Sequence, residues 1–209
     1  SKKLNYYAPW LRDVRSFREY QLTDESEQLL HEKSVTGAAS WIRLFDETLA
    51  GMKVELGKRK VPLEVALDQL SDKNAAKRKS AAKALGKSFE ENAKLIAMVT
   101  NTLAKDKEIE DKWRKFPRPI SSRNLANAVE DEVVDALIVA VKKSYPKLSH
   151  RYYKLKAGWF GKKSMPYWDR NAPLPMSDDK TYSWKEAVDI VLDSYGAFSP
   201  KLRDLGQKF

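Results

Sequence analysis

Residues Asn74 to Ala104 read NAAKRKSAAKALGKSFEENAKLIAMVTNTLA, and this stretch decides the fold class. It predicts one long helix, with Ser71-Asp72 closing the preceding segment and capping this one. Gly86 lies inside the run. A glycine there costs about 1 kcal/mol relative to alanine, so a kink or close packing is expected at that point.

The segments on the N-terminal side follow the same helical period. Leu4, Tyr7, Leu11, Val14 and Phe17 recur every three or four residues and predict a helix over Leu4–Glu19 with one apolar stripe. Thr23-Asp24 opens a short helix, with Glu27 in a capping-box arrangement. Ser34 starts another, through Trp41, Leu44, Phe45 and Leu49. The period breaks between Met52 and Leu63. There Lys53-Val54-Glu55-Leu56 and Lys60-Val61 flank Gly57-Lys58, predicting a small β-hairpin over about Lys53–Val61. Pro62-Leu63-Glu64 then reads as a helix start.

On the C-terminal side, Phe116-Pro117-Arg118-Pro119 breaks the long helix. Ser121 or Ser122 caps a helix that carries Leu125, Val129, Val133, Leu137 and Val141 on one face, widened by Val134 and Ile138. So apolar a face predicts a helix central to the core, ended by Tyr145-Pro146. Another helix runs from Ser149 to Gly158 or Gly161, and Ser183-x-x-Glu186 is a capping box for one reaching Tyr195. Ser199-Pro200 starts the last. Between them the Pro-rich segment Met165–Met176 reads as irregular, and Asp178-Asp179 as solvated or helix-start acids. The fold class is therefore all-α: a bundle-like array with a minor hairpin, expected to form one continuous unit because no Gly/Ser linker interrupts it.

Composition narrows the function classes. With 42% hydrophobic residues, the 209-residue chain can bury a core. No apolar run approaches the ~20 residues that span a bilayer, so no membrane partner is expected. Ser1 in place of Met points to a trimmed or tagged start. The absence of cysteine excludes disulfides and thiolate chemistry, and fits a reducing cytoplasm. Lys and Arg number 39 against 29 Asp and Glu, a net charge of +10. The densest basic cluster is Lys77-Arg78-Lys79 with Lys83 and Lys87. Its neighbours are Ala and Ser, without the aromatics that stack on bases, so nucleic acid is disfavoured.

Catalytic motifs are missing. A zinc hydrolase of the HExxH type needs two histidines one helical turn apart with a glutamate beside the first. The two histidines here, His31 and His150, lie far apart, and His31-Glu32-Lys33-Ser34-Val35 puts valine where the second should be. There is no G-x-S-x-G elbow, P-loop or dinucleotide fingerprint. No catalytic, cofactor-binding or metal-ligating residue is assigned.

Several motifs nevertheless fall in a familiar order. Trp41-Ile42-Arg43-Leu44-Phe45-Asp46-Glu47 follows Tyr20-Gln21-Leu22-Thr23. Arg78 to Ala84, Asn101-Thr102-Leu103, Lys105-Asp106-Lys107 and Trp113-Arg114 come next. His150-Arg151-Tyr152-Tyr153, Lys154-Leu155-Lys156 and Tyr167-Trp168-Asp169-Arg170 complete the series. In this order they resemble oligoendopeptidase F-like zinc metallopeptidases of the thimet oligopeptidase superfamily. Residues 1–70 are similar to that family's N-terminal domain and 71–209 to the start of its peptidase domain. The resemblance implies a cytoplasmic parent enzyme that hydrolyses short peptides with one zinc ion in a channel between helical lobes. The chain is then expected to be a catalytically incompetent fragment, binding no zinc, partnered by the rest of the same polypeptide and prone to self-association. The alternative is a stand-alone helical module whose basic Lys77–Lys87 face binds nucleic acid or an acidic partner.

The scaffold residues expected to line such a channel are Tyr167, Trp168, Asp169 and Arg170 in the irregular segment, with His150, Tyr152 and Tyr153 facing the same cavity. The structural reading of the same residues makes Trp168 a core anchor and pairs Asp169 with Arg170.

Overall fold

The computed structural model describes residues 2–175 and 180–209, with the side chains of Lys2 and Lys3 left aside. The expected end of the Pro-rich segment at Met176 and the acidic pair Asp178-Asp179 lie outside the described residues. The fold is helical with one two-stranded antiparallel sheet.

Pro9 in the first turn starts α1 (Ala8–Ser16) after a 3-10 segment, Lys2–Tyr7, and a second 3-10 turn, Arg18–Tyr20, follows. The expected single helix over Leu4–Glu19 is thus three shorter pieces. In α2 (Asp24–Ser34) the cap is Thr23, whose hydroxyl accepts from the Ser26 amide at 3.3 Å, while Glu27 accepts from the Leu22 amide at 3.0 Å. Ser34 ends this helix; α3 (Ala38–Gly51) begins after Gly37.

Strands β1 (Lys53–Leu56) and β2 (Arg59–Pro62) pair Val54 with Val61 and Leu56 with Arg59. Gly57, at φ +63, takes the positive angle that the favoured two-residue hairpin turns require. The chain continues into α4 (Leu63–Asp68) and a 3-10 turn, Gln69–Ser71. Asn74 then caps the long α5 (Ala75–Arg114), accepting from the Ala76 amide at 2.8 Å. Helix α5 runs past Ala104 and stops where Lys115 turns left-handed, one residue before Phe116-Pro117.

The core sits where these elements meet. Met52, Val54, Leu63, Ala66 and Leu85 are buried together, with Leu49, Leu56, Val61 and Leu70 packed around them. Side chains at 78, 81, 82, 85 and 88 form the buried face of the first half of α5. Gly86 is on the open side, and a methyl group there would meet nothing within 4 Å. The expected close packing at Gly86 is absent.

The single helix expected from Ser121 or Ser122 up to Tyr145-Pro146 is two, α6 (Ser121–Ala126) and α7 (Asp131–Ser144). Ala128 adopts φ +51 at the break. The Asp131 carboxylate accepts from the Ser121 hydroxyl at 2.6 Å and the Asn124 amide at 2.8 Å, tying the two starts together. Contrary to the expectation of a central core helix, α7 has no buried residue. Val133, Leu137 and Val139 are each more than half exposed. Helix α8 (Ser149–Trp159) follows.

Two compact units emerge, Ser1–Pro173 and Leu174–Phe209. The second is a helical hairpin of α9 (Trp184–Phe198), opened by the expected Ser183–Glu186 capping box, and α10 (Pro200–Gly206). Gly206 lets α10 approach the Tyr195 ring, and Arg203 pairs with Asp193 at 2.8 Å.

Candidate functional site

Helix α8 ends in a tight reversal. Gly161 adopts φ +64, and the Lys162 amide reaches back to the Ala157 carbonyl at 2.8 Å, a Schellman-type closure that only a left-handed residue allows without strain. The chain then folds over the face of α8 that carries Tyr153, Lys154 and Ala157. It re-enters ordered structure as the 3-10 turn Tyr167–Asp169.

Asp169 anchors this turn and is fully buried. Its Oδ1 accepts from Arg78 Nε at 3.0 Å and from Arg78 Nη2 at 2.7 Å, and its Oδ2 accepts from the Lys162 ammonium. Arg78 Nη1 donates in addition to the Asp72 and Lys73 carbonyls at 2.7 and 2.9 Å. One guanidinium thereby joins the start of α5 to a turn 91 residues later in sequence. Burial alone would raise the Asp169 carboxyl. The hydrogen bonds and charges of Lys162 and Arg78 outweigh it and hold the group below its ordinary range. Lys156, also buried, donates to the Arg170 carbonyl at 2.8 Å. Burial, then the Arg78 charge, lowers its pKa against the opposing pull of Asp169. The expected Asp169–Arg170 ion pair is not formed: Arg78 and Lys162 take the carboxylate.

Against this anchor lies a cavity of about 580 Å³. Ala157, Met165 and Pro166 give it apolar surface, and the Tyr153 and Tyr167 rings form part of its wall. Lys154, Lys163 and Arg170 supply its charge, with Ser164 at the edge. No carboxylate lines it, and among the described residues none pairs with these three cations.

Of the residues singled out from sequence, the fold brings Tyr153, Tyr167 and Arg170 together around this cavity. Asp169 is behind it, in the buried anchor. Trp168 is half-buried, with the Lys79 ammonium 5.2 Å from its ring centre, and packs edge-on to Tyr167. Tyr152 touches Tyr153 edge-on but does not line the cavity. His150 is exposed near the start of α8, 6.4 Å from the Tyr145 ring, and is also outside it. Sequence reading missed Lys154 and Lys163 as cavity residues, and Arg78, Lys156 and Lys162 as the anchor. The doublet after Gly161 was the only local signal; the Arg78 pairing has none.

The basic Lys77–Lys87 cluster is largely engaged. Arg78 is buried, Lys79 lies over Trp168, Lys77 pairs with Asp72 at 3.0 Å, and Lys87 with Glu55 at 3.3 Å. A second junction joins α2 to the end of α5. There Arg114 donates to both Glu27 oxygens at 2.6 and 2.9 Å and to the Tyr20 carbonyl, beside a Tyr20–Phe116 stack. The Arg114 hydrogen bonds, then that from the Leu22 amide, bring the Glu27 pKa down to about 2.

Among the described residues no group of three or more His, Cys, Asp and Glu could hold a metal. Among the described residues no helix is long and apolar enough to cross a membrane.

Comparison with known proteins shows a likeness in the first part of the sequence and in the fold of the whole chain. A family model described as oligopeptidase F matches residues 1–53. The whole chain is similar in fold to three solved structures. A candidate oligoendopeptidase F from Bacillus anthracis str. Ames aligns over 99% of this chain at TM-score 0.81 and 16% identity. A candidate peptidase from Chlamydophila abortus aligns over 99% at 0.77 and 18%, and the oligoendopeptidase-F from Enterococcus faecium over 100% at 0.75 and 20%. The chain spans only 36%, 38% and 40% of the Chlamydophila, Bacillus and Enterococcus chains respectively. At these identities the likeness is one of fold. No curated protein matches.

Proposed function

We propose that this chain is a scaffold lobe of a zinc-dependent oligoendopeptidase of the oligoendopeptidase F type, a cytoplasmic enzyme that hydrolyses short peptides. The lobe walls part of the substrate channel and is itself inactive. The observation that carries this reading is the full-length fold likeness to three peptidase structures, of which the chain spans about two fifths. The N-terminal family match supports it independently. So does α7, whose Val133, Leu137, Ile138, Val139 and Val141 stand uncovered as a folded domain rarely leaves them. A further segment of the same polypeptide packed on that face would complete it. The alternative basic module finds little support, because Lys77, Arg78 and Lys87 already have partners.

The test compares this 209-residue chain with the product of the whole open reading frame that contains it. Fluorogenic short peptides should be cleaved by the longer product and not by the shorter, and a chelator should stop the cleavage. Turnover by the 209-residue chain, or one tightly held zinc per chain, overturns the proposal. The uncovered α7 face adds an expectation of self-association in the isolated chain. A constant monomer mass by light scattering over a wide concentration range would remove it.

A further inference from the structure

Most charged side chains near the Asp169 anchor are spoken for. Asp169 is saturated by Arg78 and Lys162, and Lys156 by the Arg170 carbonyl. Lys154, Lys163 and Arg170 are different: each faces the 580 Å³ cavity, and among the described residues no acid pairs with any of them. The acid nearest to Arg170 in sequence, Asp169, is turned away from it and fully consumed. Behind the wall, Arg78, Lys156 and Lys162 outnumber the single carboxylate, so the field in the cavity is positive from both sides.

We infer that this cavity is a carboxylate subsite, in which Lys154, Lys163 and Arg170 hold the C-terminal carboxylate of a short peptide while the Tyr153 and Tyr167 rings, with Met165 and Pro166, receive its last apolar side chain. A cavity of this size accommodates one to two residues, and the pairing of apolar walls with a few convergent charges is the pattern of a small-ligand site. Arg170 offers a planar fork and the two lysines compact charges, which together can saturate both oxygens of a carboxylate. That the anion is a peptide terminus rests on the peptidase reading above; that the cavity takes a carboxylate rests on the cavity alone. It would fix the peptide end and set the distance from there to the point of cleavage, limiting substrate length.

The experiment measures binding of an acetylated tripeptide ending in leucine, labelled with an uncharged dye, by fluorescence anisotropy on the 209-residue chain. The free acid should bind about ten- to a hundredfold tighter than its C-terminal amide, the loss expected when charge-assisted hydrogen bonds go. Its affinity should fall as salt is raised. Lys154→Gln, Lys163→Gln and Arg170→Gln should each weaken it and the triple variant should erase the preference. All three side chains are exposed, and circular dichroism checks that the variants fold. Equal binding of acid and amide, an unaffected triple variant, or no binding of either peptide overturns the inference. Cleavage by the longer polypeptide without preference for free acids would leave the peptidase reading intact and sink this one. Preference in this chain without cleavage by the longer product would do the opposite.

Discussion

Helix α5 buries Arg78, Ala81, Ala82, Leu85 and Ser88 along one face, against the hairpin and α4, while α7 buries none of its residues. In sequence α7 has the more apolar face of the two. The face of α5 is lined by alanines, a single leucine, an arginine and a serine, that of α7 by valines, leucine and isoleucine. An apolar stripe states what a helix can cover; burial depends on whether another element lies opposite. At the start of α5 a charge adds a further tie: the Arg78 guanidinium collects Asp169 and two backbone carbonyls. Among the described residues, the side-chain hydrogen bonds from α7 to other elements come from its N-terminal part, from Asp131 and from the Arg118–Asp135 pair.

The harshest way to break the covered region is to remove the buried acid. Asp169→Ala leaves Arg78, Lys156 and Lys162 without a counter-charge and should cost about 3–5 kcal/mol in urea unfolding. The double variant Arg78→Met, Asp169→Leu should recover part of that loss, since the buried guanidinium is then gone while Lys156 and Lys162 still lack a counter-charge. A small effect of Asp169→Ala would show that the turn is not what ties α8 to α5. Acid attacks the same junction. The folded-state pKa of Asp169 lies below its unfolded value, so the contribution is present above the ordinary aspartate range and is lost as pH falls through the folded value.

Truncation sharpens the comparison directly. Leu85→Ala should destabilise by about 2–5 kcal/mol, as removal of a core leucine does. Leu137→Ala, on α7, should change the stability of this chain by less than about 0.5 kcal/mol. Equal losses would mean that α7 is covered in solution. In the longer polypeptide, Leu137→Ala should become as costly as Leu85→Ala if a further segment packs there.

Glu27 gives a smaller effect. Its side chain is about a third exposed (35%), so solvent screens the Arg114 pair, and Glu27→Gln should cost at most about 1 kcal/mol. With the pKa lowered to about 2 from 4.5, that contribution is full above pH 4.5 and disappears as pH falls toward 2. A wild-type and Glu27→Gln pair whose stabilities differ equally at pH 7 and pH 2 would refute the assignment.

These contrasts explain what the sequence could reveal. The hairpin, the caps at Thr23 and Ser183 and the breaker at Pro117 are local, and local chemistry announces them; the cap of α5 is Asn74 and not the expected Ser71-Asp72. The break between α6 and α7 was hidden because Ala128 gives no sign of a left-handed turn; the carboxylate of Asp131 stabilises it from three residues away. Tyr153, Tyr167 and Arg170 could be picked out as residues of one irregular neighbourhood. That Asp169 would choose Arg78 over its neighbour Arg170 could not, because the choice is made across the folded junction and not along the chain. Nor could the exposure of α7, which depends on what faces it.

Glycine substitutions separate the two regimes with the least perturbation. Gly86 is exposed on the far side of α5, in helical conformation, with open space where a methyl would go. Gly86→Ala removes backbone freedom from the unfolded chain without a steric cost in the folded one, and should stabilise by about 0.5–1 kcal/mol. At Gly206 the same methyl would sit 2.9 Å from a Tyr195 ring carbon. There the gain is overtaken by displacement of the ring, and Gly206→Ala should destabilise the α9–α10 hairpin. Opposite signs in thermal unfolding would confirm that α5 tolerates addition on its outer face while the helical hairpin depends on close approach. A loss at Gly86 would reveal a partner on that face, and would extend the contrast with α7 to both sides of the long helix.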